Sequence, residues 1–420
     1  MLDIAFIREN PAVVKKAAAD KQMPAHIDRL LALDEELREG GKKAEVLRAE
    51  RNKLSREIPS LKGGERDALV ERVRQIKEEL AGIEAGFSKK QAEFDNLMLR
   101  VPSVPAPEVP IGAGEEDNVE LRRVGEPRSF SFTPRDHVDL CEMHGLVDMQ
   151  RGAKISGSRF YFLKNEAVIL EMAICRYVMD TLREKGFTPM MVPQLVREGA
   201  MRGTGYFPIG YEQAYKLPED DLFLVGTSEV SLVSYHQDEV LPLNTLPLRY
   251  AGISSCYRRE AGTYGKDTRG LYRVHQFTKV EQVIFCEADD KKAEALHYEI
   301  LGNAEAIMQA LELPYRVCLA CTGEIGIGQV RKHEIETWMP ARGAYCETHS
   351  CSTMGDFQAR RGNIRYRTAG GEVRYAFTLN NTAIASPRVL IPILENCQNA
   401  DGSVTIPTVL RPYTGFDKIG

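Results

Sequence analysis

The chain has 420 residues, 43% of them hydrophobic and 27% charged, and a formal net charge of −5 at pH 7. This length allows two or three domains, and the lack of any long apolar run argues against a membrane-spanning helix. Acidic residues lie within the first ten positions, and no basic stretch precedes an apolar core. That pattern argues against a secretory signal and for a cytoplasmic protein.

Residues 1–100 predict a helical domain that contains a long hairpin. Apolar residues follow the alternating three–four spacing of a coiled-coil seam from Leu30 to Ile58, and again from Leu69 to Leu97. The segment PSLKGGERD between the two runs is typical of a turn. Two helices of roughly 30 residues would fold into an antiparallel coiled coil about 45 Å long, at about 1.5 Å per residue.

Basic residues accumulate on the outward faces of this hairpin, although the whole chain is acidic. The candidate RNA-binding residues lie toward its tip and are Lys42, Lys43, Arg48, Lys53, Arg56 and Lys62. A projecting arm with a basic flank can follow an RNA helix by contacting its phosphates. A coiled coil that only dimerises or spaces domains is the alternative.

The segment VPSVPAPEVPIGAGEED predicts a linker, residues 101–118, because its prolines and glycines disfavour regular structure. Residues 119–420 mix helices with short alternating strands and show no regular βαβ order. This pattern predicts an α+β domain built around an antiparallel sheet.

The stretch CYRREAGTYGKDTRGLYRVHQFTKVE predicts two strands joined by a glycine-rich, basic loop. Arg258 and Glu260 would share one face of the first strand, because side chains alternate with a period of two. Phe277, Lys279 and Glu281 would share a face of the second. A cation, a carboxylate and an aromatic plane over a sheet suit a purine nucleoside triphosphate. A solvated cross-strand ion pair is the alternative.

The cysteines are odd in number and scattered, which predicts reduced thiols rather than a disulfide framework. Cys318 and Cys321 form a CxxC pair, but the surrounding YRVCLACTG predicts a strand. Residues three apart on a strand face opposite sides, whereas a zinc knuckle needs a turn. We therefore expect no zinc.

Over essentially its whole length the chain resembles the bacterial-type seryl-tRNA synthetases, a family of class II aminoacyl-tRNA synthetases. GFTPMMVPQLV resembles motif 1, with Pro193 as its hallmark proline, and this motif forms the dimer interface in the family. YRRE through KVEQ resembles motif 2. TLNNTAIASPRVLIPILENCQ resembles motif 3, with Arg388 expected on the last helix. ISGSRFYFL, GTSEV, ETHSCS and the N-terminal hairpin also match the family.

The resemblance implies an ATP site. Arg258 would hold the α-phosphate, Glu260 would meet the adenine amine, and Phe277 would stack on the ring. Arg273 and Arg388 would clamp the γ-phosphate end. The full implied set of ATP-binding residues is Arg258, Arg259, Glu260, Arg273, Val274, Phe277, Glu347, Thr348, His349, Ser350 and Arg388.

Further roles follow from the same resemblance. Glu347 and Ser350 would carry Mg²⁺, and Arg258, Glu347 and Arg388 would be the catalytic residues. The implied serine pocket consists of Thr227, Ser228, Glu229, Arg258, Glu281 and Thr382.

Two features of motif 3 depart from a simple match. Many members carry a Gly-Ser-Gly turn where this chain has Asn381, Thr382 and Ala383, although some share the Asn-Thr-Ala version. Pro392 falls inside the predicted helix, where we expect it to remove one hydrogen bond and cause a kink.

The activity implied is that of a serine–tRNA ligase. ATP and L-serine would form seryl-adenylate, and the seryl group would pass to the 3′ end of tRNA(Ser), with tRNA(Sec) a further candidate. A cytoplasmic homodimer would bind tRNA through the arm, across the dimer. One alternative is a ligase that serves a carrier protein or a metabolite, and such proteins typically lack the arm. Another is a scaffold with a degenerate synthetase domain, although the charged motif residues are all present. The sequence does not separate a housekeeping enzyme from a specialised duplicate.

Overall fold

The structure is a computed structural model and describes residues 1–262, 265 and 269–420. The loop expected inside motif 2 includes residues 263, 264 and 266–268, which lie outside the described residues. The chain divides into two compact units. The helical unit contains residues 2–19 and 23–102, and the sheet unit contains residues 1, 20–22 and 103–420.

The α-helices of the described residues are α1 (Ile4–Glu9), α2 (Pro11–Asp20), α3 (Ile27–Glu57), α4 (Gly64–Met98), α5 (His137–Met143), α6 (Met149–Ser156), α7 (Glu166–Glu184), α8 (Glu198–Thr204), α9 (Glu229–Ser234), α10 (Asp290–Ala310), α11 (Phe357–Gly362), α12 (Leu390–Asn396) and α13 (Arg411–Thr414). Within that part of the chain, none of them combines the length and hydropathy that crossing a bilayer requires.

The strands of the described residues are β1 (Val119–Val124), β2 (Val147–Asp148), β3 (Phe162–Leu163), β4 (Thr188–Met191), β5 (Leu195–Arg197), β6 (Lys216–Leu217), β7 (Leu222–Leu224), β8 (Val240–Leu241), β9 (Leu248–Tyr257), β10 (Gln276–Cys286), β11 (Tyr315–Leu319), β12 (Arg331–Met339), β13 (Ala344–Gly355), β14 (Arg365–Arg367), β15 (Val373–Tyr375), β16 (Phe377–Ser386), β17 (Val404–Thr405) and β18 (Lys418–Ile419).

Helices α3 and α4 form the long hairpin predicted from the apolar spacing. Arg29, near the start of α3, pairs with Glu93, near the end of α4, at 2.8 Å. Arg72, early in α4, pairs with Glu50, late in α3, at 2.9 Å. These crossed positions show that the two helices run antiparallel.

The hairpin is held together by an apolar seam. Ala44, Ile76 and Leu80 are buried between the two helices. Gly40 interrupts the apolar pattern for a packing reason, because a Cβ atom there would come within 2.7 Å of the Phe87 ring. The ring therefore occupies the space that a larger residue in α3 would need.

The turn of the hairpin is shorter than the sequence predicted. Helix α3 ends at Glu57, a 3₁₀ turn covers Ile58–Ser60, and α4 already begins at Gly64. Glu65 and Asp67 lie in the first turn of α4, where the positive end of the helix dipole stabilises their negative charges. That electrostatic preference outweighs the poor helix propensity of the glycine.

The proline-rich segment 103–118 belongs to the sheet unit. The backbone N–H of Ser103 donates to the carbonyl of Ile327 at 2.8 Å. The segment contains a short 3₁₀ turn, Glu115–Asp117, so the expectation of no regular structure was wrong there. This turn lies beyond the last proline of the segment, where the backbone N–H groups are again available.

An eight-stranded sheet organises the described part of the sheet unit, in the order β1-β11-β12-β13-β16-β10-β9-β4. Its neighbours are antiparallel, except that the edge strand β4 runs parallel to β9. The predicted α+β class with an antiparallel sheet is confirmed.

The two faces of this sheet have different roles. Gln282 on β10 and Asn381 on β16 donate to the carbonyl of Ile300 in α10, at 3.2 and 2.6 Å. Because neighbouring residues of a strand face opposite sides, Glu281 and Thr382 point away from this helix. The face that they occupy carries the candidate site.

Candidate active site

A cavity of about 340 Å³ lies on the sheet face turned away from α10. Its walls come from the β9–β10 hairpin, strands β12 and β13, and the turn after β16. The predicted site residues that line it are Arg258, Glu260, Arg273, Val274, Phe277, Glu347, Thr348, Ser350, Thr382 and Arg388. Segments distant in sequence therefore meet at one cavity, as the motifs predicted.

Arg258 occupies the wall beside Phe277. Its guanidinium carbon lies 5.2 Å from the centre of the Phe277 ring. The Nε atom donates to the carbonyl of Gly226 at 3.2 Å, and the backbone N–H donates to the carbonyl of His275 at 3.0 Å. These contacts hold the cation next to an aromatic plane.

Glu260 reaches the cavity by a different route from the one predicted. Strand β9 ends at Tyr257, and Glu260 has a φ of 49°, in the left-handed region. The pleat of a strand therefore does not pair Arg258 with Glu260, and that part of the prediction was wrong. A turn carries Glu260 into the cavity wall, where its Oε2 accepts from Arg273 Nη1 at 2.9 Å.

Arg388 joins motif 2 to strand β13. Its Nη1 donates to the Glu347 carbonyl at 3.1 Å and to Glu347 Oε2 at 3.2 Å, and its Nε donates to the Tyr272 carbonyl at 3.3 Å. The guanidinium carbon also lies 4.5 Å from the centre of the Tyr272 ring. Backbone and side-chain contacts thus fix its position at one end of the cavity.

The helix after Arg388 corrects two expectations. Helix α12 begins at Leu390, so Arg388 lies in the turn before it, and α13 follows later in the chain. Pro392 is the third residue of α12, and the first N–H groups of a helix have no intrahelical acceptor. The proline therefore removes no helical hydrogen bond, because it lies in the first turn.

A β-bulge brings Glu347 and Ser350 to the same cavity. Residues three apart on a regular strand face opposite sides. Ile335 pairs with His349 and Glu336 pairs with Glu347, so Thr348 is the extra residue on β13. The bulge shifts the alternation by one position and turns both Glu347 and Ser350 toward the cavity.

The donor set at this end consists of oxygen atoms that suit Mg²⁺. Glu334 lies opposite Ser350 in the β12–β13 register, and both line the cavity with Glu347. Burial disfavours the charge of Glu347, but Arg388, Lys332 and Arg258 outweigh it and lower the pKa of this carboxyl. No trio of His, Cys, Asp or Glu side chains among the described residues is placed to hold a metal.

Three predicted ATP-binding residues use their side chains for other contacts, although Thr348 also lines the cavity. The Thr348 hydroxyl lies within the sheet, 3.1 Å from the carbonyl of Ile335. His349 is buried, does not line the cavity, and its Nδ1 lies 2.8 Å from Thr348 Oγ1. Arg259 is exposed and donates through its backbone N–H to Gln213. The alternation of side chains along β13 and the turn after β9 therefore direct these side chains away from those of their neighbours in sequence.

The predicted serine-pocket residues lie close to this cavity. Glu281 is buried and forms an ion pair with Lys279, whose side chain lines the cavity. Thr382 Oγ1 is 3.5 Å from Glu281 Oε2. Lys279 and Glu281 meet because β10 pairs with β9 without a register shift between them, as the period of two predicted.

Three pocket residues come from the segment that enters α9. Thr227 is buried, and its Oγ1 accepts from the backbone N–H of Glu229 at 3.2 Å. Ser228 donates its hydroxyl to the carbonyl of Gly252 at 3.2 Å. The Ser228 side chain therefore has a structural contact, although its sequence position suggested a ligand.

Two amide side chains donate to Glu229 Oε1, from Gln358 at 2.7 Å and from Asn380 at 2.8 Å. Burial, with the nearby Glu281 carboxylate as the second cause, raises the pKa of Glu229 to about 7. Neither amide was identified from the sequence. Asn380 lies two residues before Thr382 on β16, and this spacing was the available signal.

The cavity also contains residues that sequence reasoning missed. Glu115, Tyr272, Glu324 and Glu334 line it. Tyr272 directly precedes Arg273 in motif 2, which could have identified it. The three glutamates lie outside the recognised motifs, so nothing in the sequence distinguished them from surface carboxylates.

The six predicted RNA-contacting residues of the arm are all exposed on the helical unit. Arg48 pairs with Glu84 across the hairpin at 2.8 Å. Such an exposed ion pair is weak and can exchange its carboxylate for a phosphate.

Comparison with known proteins bears on both units. The family model of the seryl-tRNA synthetase N-terminal domain matches residues 1–105. The family model of the class II tRNA synthetase core domain (G, H, P, S and T) matches residues 213–397. The chain is 46% identical to a serine–tRNA ligase of Deinococcus radiodurans, over 99% of this chain and 98% of the relative. The chain belongs to the seryl-tRNA synthetase family.

Further relatives of this family agree in sequence and in fold. A serine–tRNA ligase of Dictyoglomus turgidum is 44% identical over 100% of this chain and 99% of its own. The crystal structure of a seryl-tRNA synthetase from Pyrococcus horikoshii, complexed with ATP, superposes with a TM-score of 0.94. It is 41% identical, and the match covers 100% of this chain and 99% of that one. The predicted resemblance to seryl-tRNA synthetases is confirmed, and with it the assignment to the aminoacyl-tRNA ligases.

Proposed function

We propose that this chain activates L-serine with ATP and transfers the seryl group to the 3′ end of tRNA(Ser). The observation that carries this proposal is the single cavity in which Arg258, Phe277, Glu347 and Arg388 meet beside the Glu281 pocket. The family membership of the whole chain supports the same reaction.

The nucleotide half of the cavity suits ATP. Phe277 offers a stacking plane for adenine, and Arg258 above it can hold the α-phosphate. Arg273 and Arg388 also line the cavity and would bind the distal phosphates. Serine carboxylate would attack the α-phosphorus in line and release pyrophosphate, and Arg258 would stabilise the negative charge that develops there.

Mg²⁺ fits the oxygen donors of Glu347 and Ser350. The ion commonly binds one or two protein carboxylates and completes its coordination with water and substrate phosphates. Bound in this way, it would neutralise phosphate charge during adenylate formation. Glu347 suits this role because neighbouring cations lower its pKa and keep it ionised.

The amino-acid half of the cavity suits a small substrate with a hydroxyl group. Glu281 can accept from the serine ammonium group, and Glu229 and Thr382 offer oxygens near the position of its hydroxyl. A buried polar pocket rejects alanine because the missing hydroxyl leaves protein groups unpaired. Positioning of the two substrates would supply much of the rate, and no cysteine needs a covalent role.

The arm and a second copy of the chain complete the proposal. Exposed lysines and arginines toward the tip of the helical hairpin would contact the phosphates of tRNA(Ser). The apolar surface of motif 1 would form a homodimer, so that tRNA bound to one arm reaches the active site of the partner. The domain limits 1–100, 101–118 and 119–420, the cytoplasmic location and the charging of tRNA(Sec) stay predictions.

Pyrophosphate exchange with a panel of amino acids, with and without tRNA, tests the reaction. We expect serine alone to support exchange and to be transferred to tRNA. Glu281→Gln should lower kcat/KM for serine by about 100-fold, because the substrate ammonium loses its buried carboxylate. Glu305→Gln changes a carboxylate of similar burial that pairs with Arg122 and lies outside the cavity, and it serves as the control.

The rival functions give different results in this experiment. Exchange with serine but no charging of tRNA would favour a ligase that serves a carrier protein or a metabolite. A protein that supports no exchange with any amino acid would have the synthetase fold without the activity.

A further inference from the structure

Tyr272 has two guanidinium groups against its ring. The guanidinium carbon of Arg388 lies 4.5 Å from the ring centre, and that of Arg342 lies 4.1 Å from it. Tyr272 and Arg388 line the cavity. Arg342 comes from the turn between β12 and β13, which the recognised motifs do not include.

The backbone of this turn is well fixed. The N–H groups of Arg342 and Gly343 both donate to the carbonyl of Met339, at 3.0 Å each. The N–H of Ala341 donates to Glu395 Oε2 in α12, also at 3.0 Å. Arg342 itself is exposed, so its side chain can change direction without any change in the turn.

Cys346 lies next to Arg342 and directly before Glu347. Burial raises the pKa of the Cys346 thiol, while the charge of Arg342 and its hydrogen bond oppose this rise. Because both guanidinium groups contact the Tyr272 ring, that of Arg342 lies close to the end of the cavity at which Arg388 is held.

Two cations beside one ring repel each other, and a polyanion that binds both would reduce this cost. A guanidinium that stacks on an aromatic face keeps its N–H edge available for phosphate oxygens. A surface arginine that only packs on tyrosine is the simpler explanation, but it gives no reason for the second cation at the same ring.

We infer that Arg342, together with Arg388, binds the β- and γ-phosphates of ATP and the pyrophosphate that leaves. Arg342 swings from the Tyr272 ring to the phosphates once the nucleotide is bound. This inference rests on the proposed function for the orientation of ATP in the cavity. It adds a phosphate ligand from a segment to which the motifs assign no role.

Calorimetric binding of ATP, pyrophosphate and AMP to the full-length protein tests this role. Arg342→Gln should weaken the binding of ATP and of pyrophosphate by about tenfold, the usual effect of losing one charge-assisted contact. AMP lacks the distal phosphates, so its affinity should stay within about twofold of the wild type. Arg342→Lys keeps the charge without the planar fork and should give an intermediate loss.

Arg123→Gln is the matched control, because Arg123 is also exposed and lies 5.3 Å from the centre of an aromatic ring, that of Tyr345. It should change none of the three affinities. Equal losses for AMP and pyrophosphate in Arg342→Gln, or no loss for any ligand, would overturn the inference. The binding assays contain no serine, so a phosphate-selective loss in a protein without serine-dependent exchange would retain the phosphate site and refute the proposed function.

Discussion

Glu229 shows how a single side chain can set a requirement for substrate binding. Its carboxylate lies among Gln358, Asn380 and Glu281, two amide donors and one like charge. The donors hold the carboxylate in one orientation, and burial beside Glu281 raises its pKa to about 7. A group that titrates at this pH passes between hydrogen-bond acceptor and donor within the physiological range.

We expect the activation of serine to follow this titration. Below pH 7 Glu229 becomes protonated and loses acceptor capacity, so kcat/KM for serine should rise with pH through about 7 and then level off. Glu229→Gln cannot ionise, and its residual activity should lack this rise. Pyrophosphate exchange between pH 6 and 8.5 measures both profiles. An unchanged rise in Glu229→Gln would assign the titration to another group.

At the residue scale, the sequence predicted which side chains share a face wherever a strand continues without interruption. Phe277, Lys279 and Glu281 share a face because β10 pairs with β9 without a register shift over that stretch. The argument fails for Glu260, because its left-handed backbone conformation depends on the local turn. The same argument could not identify Arg342, because its guanidinium lies against the ring of Tyr272, which is distant in sequence.

At the scale of elements, the helical hairpin was the most predictable part of the chain. A coiled-coil seam is a local, periodic signal, and α3 and α4 follow it over most of their length. The bulge at Thr348 gave no such signal, because the pairing of β12 with β13 decides which residue is extra. The motif pattern could name Glu347 and Ser350, but it could not explain how residues three apart face one cavity.

The arm allows a test of tRNA binding that leaves the fold intact. Lys53→Glu combined with Lys62→Glu reverses two exposed charges near the tip of the hairpin. We expect weaker tRNA binding and a slope of log affinity against log salt that is smaller by about two, because each lysine–phosphate contact contributes about one. Salt-dependent binding assays measure this change, and serine-dependent exchange without tRNA should stay normal.

The control for this variant carries the same change in net charge elsewhere. Lys89→Glu combined with Lys291→Glu alters two other exposed lysines, outside the tip. If both double variants lose tRNA affinity equally, the net charge of the protein accounts for the effect and the tip of the arm has no special role.

At the scale of the whole molecule, an exposed apolar surface lies on the sheet unit around motif 1. Met191 on the edge strand β4 is 89% exposed and Met172 on α7 is 66% exposed, and Val168 and Ile169 of α7 are also exposed. Helix α7 packs against β4, and exposed apolar residues grouped in this way are typical of a protein–protein interface. The resemblance to the family predicts a homodimer through this motif.

Introducing a charge on this surface tests the homodimer. Met172→Asp combined with Met191→Asp should convert dimers to monomers, because a carboxylate buried at an interface lacks a partner. Val46→Asp, on the helical unit and 66% exposed, is the matched control and should leave the dimer intact. Analytical ultracentrifugation distinguishes these results. A double variant that sediments as the wild type does would place the interface elsewhere.

The ion pair between Arg273 and Glu260 affects whether the cavity favours an intact nucleotide or its fragments. Arg273 donates to Glu260, although the family resemblance assigns these two residues to opposite ends of ATP. A free triphosphate would break this ion pair by binding the arginine alone, whereas adenosine would break it by binding the carboxylate alone. Only a ligand that carries both the base and the phosphates offers a new partner to each of the two residues. The ion pair therefore disfavours the binding of fragments relative to that of the intact substrate.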